Sequence, residues 1–142
     1  MEEKTIFLAF DYGTRNIGVA VGQKITKSAT ALPPLVAKNR TPPWNKIDNL
    51  IKNWQPKALI VGVPYKINGG NLAITKLAQN FIKQLKKRYN LPVYAAEEHL
   101  TTKAAREEIF KQGGYRALQK ESVDSMAAKI IFEEWVSKKT KI

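Results

Sequence analysis

Phe7-Leu8-Ala9-Phe10-Asp11-Tyr12-Gly13-Thr14-Arg15-Asn16-Ile17-Gly18-Val19-Ala20-Val21 is the stretch from which the rest of the chain can be read. An apolar run ends in one carboxylate, turns through Gly13 and Asn16, and resumes as a second apolar run. Both runs are short, rich in branched and aromatic residues and bounded by turn residues, which predicts two paired strands. Asp11 then stands at the end of a strand otherwise suited to a core. A carboxylate there costs free energy unless a donor, a base or a metal ion meets it.

Working outward, the 142 residues suffice for one domain, spanning 1–142, that buries about two thirds of its unfolded surface. The apolar fraction of 44% and charged fraction of 25% are those of a folded soluble chain. With no cysteine, disulfides and thiolate metal sites are excluded. The apolar runs near Ile6–Phe10 and Ala58–Val63 are too short to span a membrane, and Met1-Glu2-Glu3-Lys4 leads straight into a strand with no signal-peptide pattern. A cytoplasmic protein with no membrane partner is expected. The charge is the strongest bulk signal: 24 Lys+Arg against 12 Asp+Glu, a net +12 and a pI of about 9.9. Such an excess on a small domain favours a polyanion, and nucleic acid before lipid.

Along the chain, Thr5–Asp11, Ile17–Gly22 and Ser28–Ala37 read as three strands joined by short turns, and Pro33-Pro34 demands an edge position or a strand end for the third. Trp44, Ile47, Leu50, Ile51 and Trp54 form a helical stripe after Pro43, and Ala58–Val63 is a continuous apolar run of the kind buried on both faces of a parallel sheet. Ile74, Leu77, Ala78, Phe81, Ile82 and Leu85 mark a second helix, whose other face carries Lys76, Lys83, Lys86 and Lys87. Pro92–Ala96 is a strand running into Glu97-Glu98. A helix over Lys103–Gln112, a basic loop over Tyr115–Glu121 and a last helix over Val123–Ser137 complete the chain. The three tryptophans fall on apolar stripes and read as core. The fold expected is α/β: a mixed five-stranded sheet, three antiparallel strands then two parallel, with helices on both faces.

In such a sheet the parallel strands end on one edge, where ligands bind. Asp11 ends the first strand, and Glu97 and Glu98 end the fifth. Asp124 shares a helical stripe with Ala127, Ala128, Ile131 and Trp135, so it begins the last helix on the side that faces the sheet. Converging carboxylates repel one another unless hard cations sit among them. Oxygen-only ligation suits Mg²⁺ or Mn²⁺, and a pair of such ions serves phosphodiester cleavage. For substrate contact the candidates are Arg15, Lys66, Arg116 and Lys120, with Tyr12, Tyr65 and Tyr115 as stacking surfaces; half-buried packing is the equal alternative for the tyrosines. His99 reads as a phosphate-facing group.

Four motifs carry a resemblance. Phe10-Asp11-Tyr12-Gly13-Thr14-Arg15-Asn16-Ile17-Gly18-Val19-Ala20 resembles the first motif of the YqgF-type, RuvC-like nucleases with a ribonuclease H-like fold. Ile60-Val61-Gly62-Val63-Pro64 is similar to their central strand, and Glu97-Glu98-His99-Leu100-Thr101-Thr102 to their Asp-Glu-Arg-Leu-Ser/Thr-Thr motif. Gly113-Gly114-Tyr115-Arg116 and Lys120 through Ala128 are similar to their closing loop and helix. The likeness covers about Thr5 to Trp135 with the motifs in order.

The resemblance implies a nuclease that processes the 5' end of pre-16S rRNA, with Asp11, Glu98 and Asp124 as metal-binding catalytic acids. Holliday-junction DNA is the alternative substrate, and a non-catalytic RNA-binding module of the same fold is the rival reading. His99 stands where the family usually has Arg, Asn68 where Asp is common, and Glu97, a further candidate ligand, where Asp is usual. Ala127 and Ala128 occupy the turn where junction resolvases add another acid, which weakens the junction reading. The Asp-x-Gly-Thr pattern also resembles the phosphate loop of actin-like ATPases, but those need a second lobe that this chain is too short to supply. Monomer and homodimer both remain open.

Overall fold

A computed structural model describes residues 5–65, 70–98 and 123–139, the side chains of 123, 124 and 139 excepted. Five strands form one sheet in the order β3-β2-β1-β4-β5: β1 Ile6–Asp11, β2 Asn16–Gln23, β3 Ser28–Val36, β4 Ala58–Pro64 and β5 Val93–Glu98. The first three are antiparallel neighbours; β4 runs parallel to β1, and β5 parallel to β4. This is the expected architecture. The order places β4 between the two strands whose ends carry acids, a point that the spacing had left open. The helices are α1 Trp44–Trp54, α2 Ala73–Tyr89 and α3 Val123–Lys139. The expected helix over Lys103–Gln112 and the loop over Tyr115–Glu121 lie outside the described residues.

Strand alternation sorts the core onto two faces. Leu8, Phe10, Val19, Leu59, Val61 and Val63 point to one side and bury Ile47 of α1 and Phe81 and Leu85 of α2. Phe7, Ala9, Ala20 and Ile60 point to the other and bury Ala128, Ile131, Phe132 and Val136 of α3. The smaller strand residues on the second face let α3 lie close, and Phe7 meets both Phe132 and Trp135 at ring-centroid distances of 5.8 and 5.6 Å.

The prolines of β3 have a specific use. Between Ile17/Val19 of β2 and the facing Leu35/Leu32 the register shifts, so Pro33 and Pro34 form a bulge on an edge strand, where their missing N–H groups break no ladder. The gap is filled from α3. Buried Ser125 accepts a hydrogen bond from the Val19 N–H at 3.3 Å and donates one to the Leu32 carbonyl at 2.6 Å. Helix α2 is tied to the end of β4 in a similar way: the Thr75 hydroxyl accepts from the Leu72 N–H and donates to the Pro64 carbonyl.

Across the other face, Asp48 of α1 takes two bonds from the Arg88 guanidinium, each 2.9 Å, and one from the Tyr89 hydroxyl at 2.6 Å. The guanidinium lies 5.1 Å from the Trp44 ring centre. These groups are 40 residues apart and fasten α1 to α2. Of the tryptophans read as core, Trp44 and Trp135 pack as expected, but Trp54, at the last residue of α1, is 37% exposed.

Candidate active site

Asp11 shares its strand face with Phe7 and Ala9, and Glu98 shares its face with Ala96; both faces are the one that α3 covers. In register, Asp11 lies opposite Gly62 of β4, which lies opposite Ala96, and Glu98 follows two residues on. Gly62 is therefore the floor between the two acids. A Cβ built there would collide with Ile131 of α3 and would come within 3.5 Å of the Glu98 side chain. Glycine lets the helix settle and keeps the space between the carboxylates clear. The turn beside Asp11 is equally tight, since a Cβ on Gly13 would run into the Asn16 carbonyl.

Glu98 is 6% exposed, an unusual setting for a carboxylate. Burial first, and then the neighbouring Glu134, push it up to about 8; Asp11 adds to the rise and Lys138 opposes it. By itself the group holds its proton at neutral pH. A cation bound by its oxygens would reverse that preference, because opposite charge favours the ionised form. The donor set fits such a cation. Two carboxylates on strand ends either side of β4, one of them buried, suit a hard divalent ion. No group of three or more potential ligands is assembled among the described residues.

Asp124 is the second residue of α3 and its side chain lies outside the described residues. The backbone does locate the start of the helix. Ser125 is bonded to Val19, and Val19 pairs with Phe10, next to Asp11. The first turn of α3 thus sits at the Asp11 end of β1 and β2.

The other expected residues divide. Glu97 alternates to the opposite face of β5 from Glu98 and is exposed. Tyr12 is half-buried and its ring rests on Phe81, 5.1 Å between centroids, on the α2 side of the sheet and away from the acids. Tyr65 packs against the same core and its hydroxyl meets the Gln79 side-chain amide at 3.4 Å. Arg15 is exposed in the turn between β1 and β2, and its carbonyl accepts from the Ala37 N–H at 2.8 Å. Lys66, His99, Tyr115, Arg116 and Lys120 lie outside the described residues.

Two residues that sequence reasoning missed stand beside Glu98. Glu134 and Lys138, one turn apart on α3, line a groove of about 310 Å³ with Glu98 and Trp135. Their signal was weak: each is an exposed charge flanking an apolar stripe, the ordinary condition of a helix surface.

A central parallel pair with an antiparallel hairpin beside it, acids at two strand ends and a C-terminal helix across them define a RuvC-like, ribonuclease H-type fold. Solved structures agree. The Thermus thermophilus RuvC in complex with Holliday junction substrate superposes with a TM-score of 0.56 at 15% identity, covering 96% of this chain and 97% of that one. The fowlpox virus resolvase with junction DNA gives 0.56 at 13% identity, covering 96% of this chain and 100% of the other. At such identities the likeness concerns the fold.

The family follows from sequence. The RuvX family, described as "Holliday junction resolvase", matches residues 5–138, and the chain belongs to it. Relatives named "Putative pre-16S rRNA nuclease" include those of Buchnera aphidicola, 51% identical over 92% of this chain and 95% of that one, and Histophilus somni, 49% over 90% and 91%. The Legionella pneumophila relative is 48% identical over 92% of this chain and 94% of its own length.

Proposed function

We propose that this protein is a divalent-metal-dependent phosphodiesterase of the cytoplasm that acts on structured RNA in the maturation of pre-16S rRNA. The observation that carries the reading is the placement of Asp11 and buried Glu98 on one face of the sheet, either side of Gly62 and covered by α3. Relatives near 50% identity that are named as pre-16S rRNA nucleases support that choice of substrate.

Asp11, Glu98 and Asp124 would hold Mg²⁺ or Mn²⁺. A pair of these ions, when bound, supplies activation of a water and stabilisation of the leaving oxygen. The protein's own part is positioning. The sheet fixes the spacing of Asp11 and Glu98. Ser125 pins the helix that carries Asp124, so the third acid is delivered by a hydrogen-bonded anchor rather than by a free end. Arg15, on the turn that follows Asp11, offers a cation to a phosphate entering beside the acids. Lys66, His99, Tyr115, Arg116 and Lys120 are proposed to extend that contact along the RNA.

The test compares matched pre-rRNA, duplex DNA and four-way-junction substrates with Mg²⁺ and with Mn²⁺, using Asp11→Asn as control. Metal-dependent cleavage of the RNA that disappears in Asp11→Asn supports the reading. Equal cleavage by parent and variant would sink the site assignment, and binding without cleavage by either would favour the non-catalytic module. Junction DNA is kept as the second reading because the superposed structures are resolvases with that substrate. Ala127 and Ala128 speak against it, since both are fully buried against the sheet where a further acid would have to stand.

A further inference from the structure

Among the described residues, seven cations stand on the two helices that lie away from the acids. Helices α1 and α2 carry Lys46, Lys52, Lys76, Lys83, Lys86, Lys87 and Arg88, against Asp48 alone. Arg88 is committed to Asp48 through two bonds of 2.9 Å and so cancels that acid. The six lysines are all exposed, and none has a carboxylate partner among the described residues.

Lys76, Lys83 and Lys87 fall seven and eleven positions apart, so they form one ridge along the solvent side of α2, opposite buried Ala78, Phe81, Ile82 and Leu85. At 1.5 Å per residue the ridge is about 16 Å long. Between its lysines stand Gln79, Asn80 and Gln84, uncharged donors, with no aromatic ring on the ridge for bases to stack on. A rigid, linear cationic ridge with amide donors and no stacking surface fits the phosphates of a duplex rather than the bases of a single strand.

Asp11 and Glu98 are on the opposite face of the sheet, under α3. A phosphate at the acids cannot also touch α2. We propose that the α1–α2 face is a second contact surface for substrate, binding the sugar-phosphate backbone of an RNA duplex segment remote from the scissile bond. This rests on the reading of the substrate as structured RNA. Its consequence is selection by length: an RNA large enough to reach round the domain meets both faces at once, whereas a short one meets one face at a time.

Binding to a long structured RNA and to a short hairpin should be measured by fluorescence anisotropy across a salt series. Parent and the Lys76→Gln/Lys83→Gln/Lys87→Gln variant are compared, both in the Asp11→Asn background and without metal. For the long RNA the slope of log K against log salt should fall by about three, one per lysine, with roughly tenfold or greater loss of affinity at low salt. The short hairpin should bind the parent more weakly than the long RNA and should lose slope in the variant too, and the triple Lys→Arg variant should match the parent. An unchanged slope would overturn the proposal. So would equal affinity of the parent for long and short RNA, which would leave no second contact, or loss of binding to anionic phospholipid vesicles with RNA binding intact, which would make a membrane the partner. Because cleavage is not the readout, the two readings fail separately: a parent that cuts nothing but loses its slope in the variant keeps this surface and abandons the catalytic assignment.

Discussion

On one side of the sheet α1 and α2 present seven cations and a single acid, itself paired; on the other α3 carries Lys129, Lys138 and Lys139 against Asp124, Glu133 and Glu134, and presses on Asp11 and Glu98. The contrast has a physical logic. A lysine-rich helix laid over the acids would pair with them and fill the place of a divalent ion. Keeping these seven cations on the far face lets one small molecule attract a polyanion there without pairing them with Asp11 and Glu98. Lys138 of α3 is an exposed cation that partly offsets the rise at Glu98.

The largest expected effect tests the acidic side. Asp11→Asn should lower metal-dependent cleavage by more than about 100-fold, the upper end for loss of a residue that merely supports a metal ligand. It should leave salt-dependent RNA binding in place, because that binding belongs to the other face. Single-turnover cleavage and anisotropy on the same preparation check both halves.

Next in size is the floor between the acids. Gly62→Ala places a methyl group against Ile131 and near Glu98, and overpacking of this kind costs about 1–3 kcal/mol. Denaturant melts should show that loss, together with reduced cleavage and unchanged binding. Ser125→Ala leaves the Val19 N–H and the Leu32 carbonyl without their partner, at about 1–3 kcal/mol. If stability falls while cleavage holds, the anchor is structural and does not place Asp124.

The subtlest effect is on pH dependence. Glu98 sits well above the usual carboxylate value in the fold, up to about 8, so the folded protein binds a proton more tightly than the unfolded chain does. Stability from this group is present at acid pH and is lost progressively as pH rises from its unfolded value, near 4.5, through about 8. In metal-free buffer the parent's Tm should therefore drop more between pH 5 and pH 9 than that of Glu98→Gln. Added Mg²⁺ or Mn²⁺ should raise the parent's Tm at pH 8 but not the variant's. A parent indifferent to metal in the melt would remove the cation from the site.

What the sequence disclosed and what it withheld divide along a similar line. Apolar runs bounded by turn residues put Asp11 and Glu98 at strand ends, and the β4 apolar run announced a strand buried on both sides, so strand count, direction and the two strand-end acids were all legible; that the two acids share a face came with the register. Pro33-Pro34 correctly demanded an edge. What local pattern could not show were groups joined across long stretches of chain: Ser125 with Leu32, Asp48 with Arg88, Glu134 with Glu98. Each looks ordinary in its own helix, and only the strand order brings it to its partner. Trp54 misled because a helix stripe says which side a residue is on, not whether the helix end still has anything above it.

The Ser125 bridge has one more consequence. The Val19 amide is protected by a hydroxyl 106 residues further along the chain, at the one place where the β2–β3 ladder is interrupted by prolines. Its hydrogen-exchange rate therefore reports the docking of α3 rather than the integrity of the hairpin that contains it. That single amide is a native reporter for the seating of α3: it falls silent when the helix is docked, and exchanges when that helix lifts, with the rest of the sheet intact.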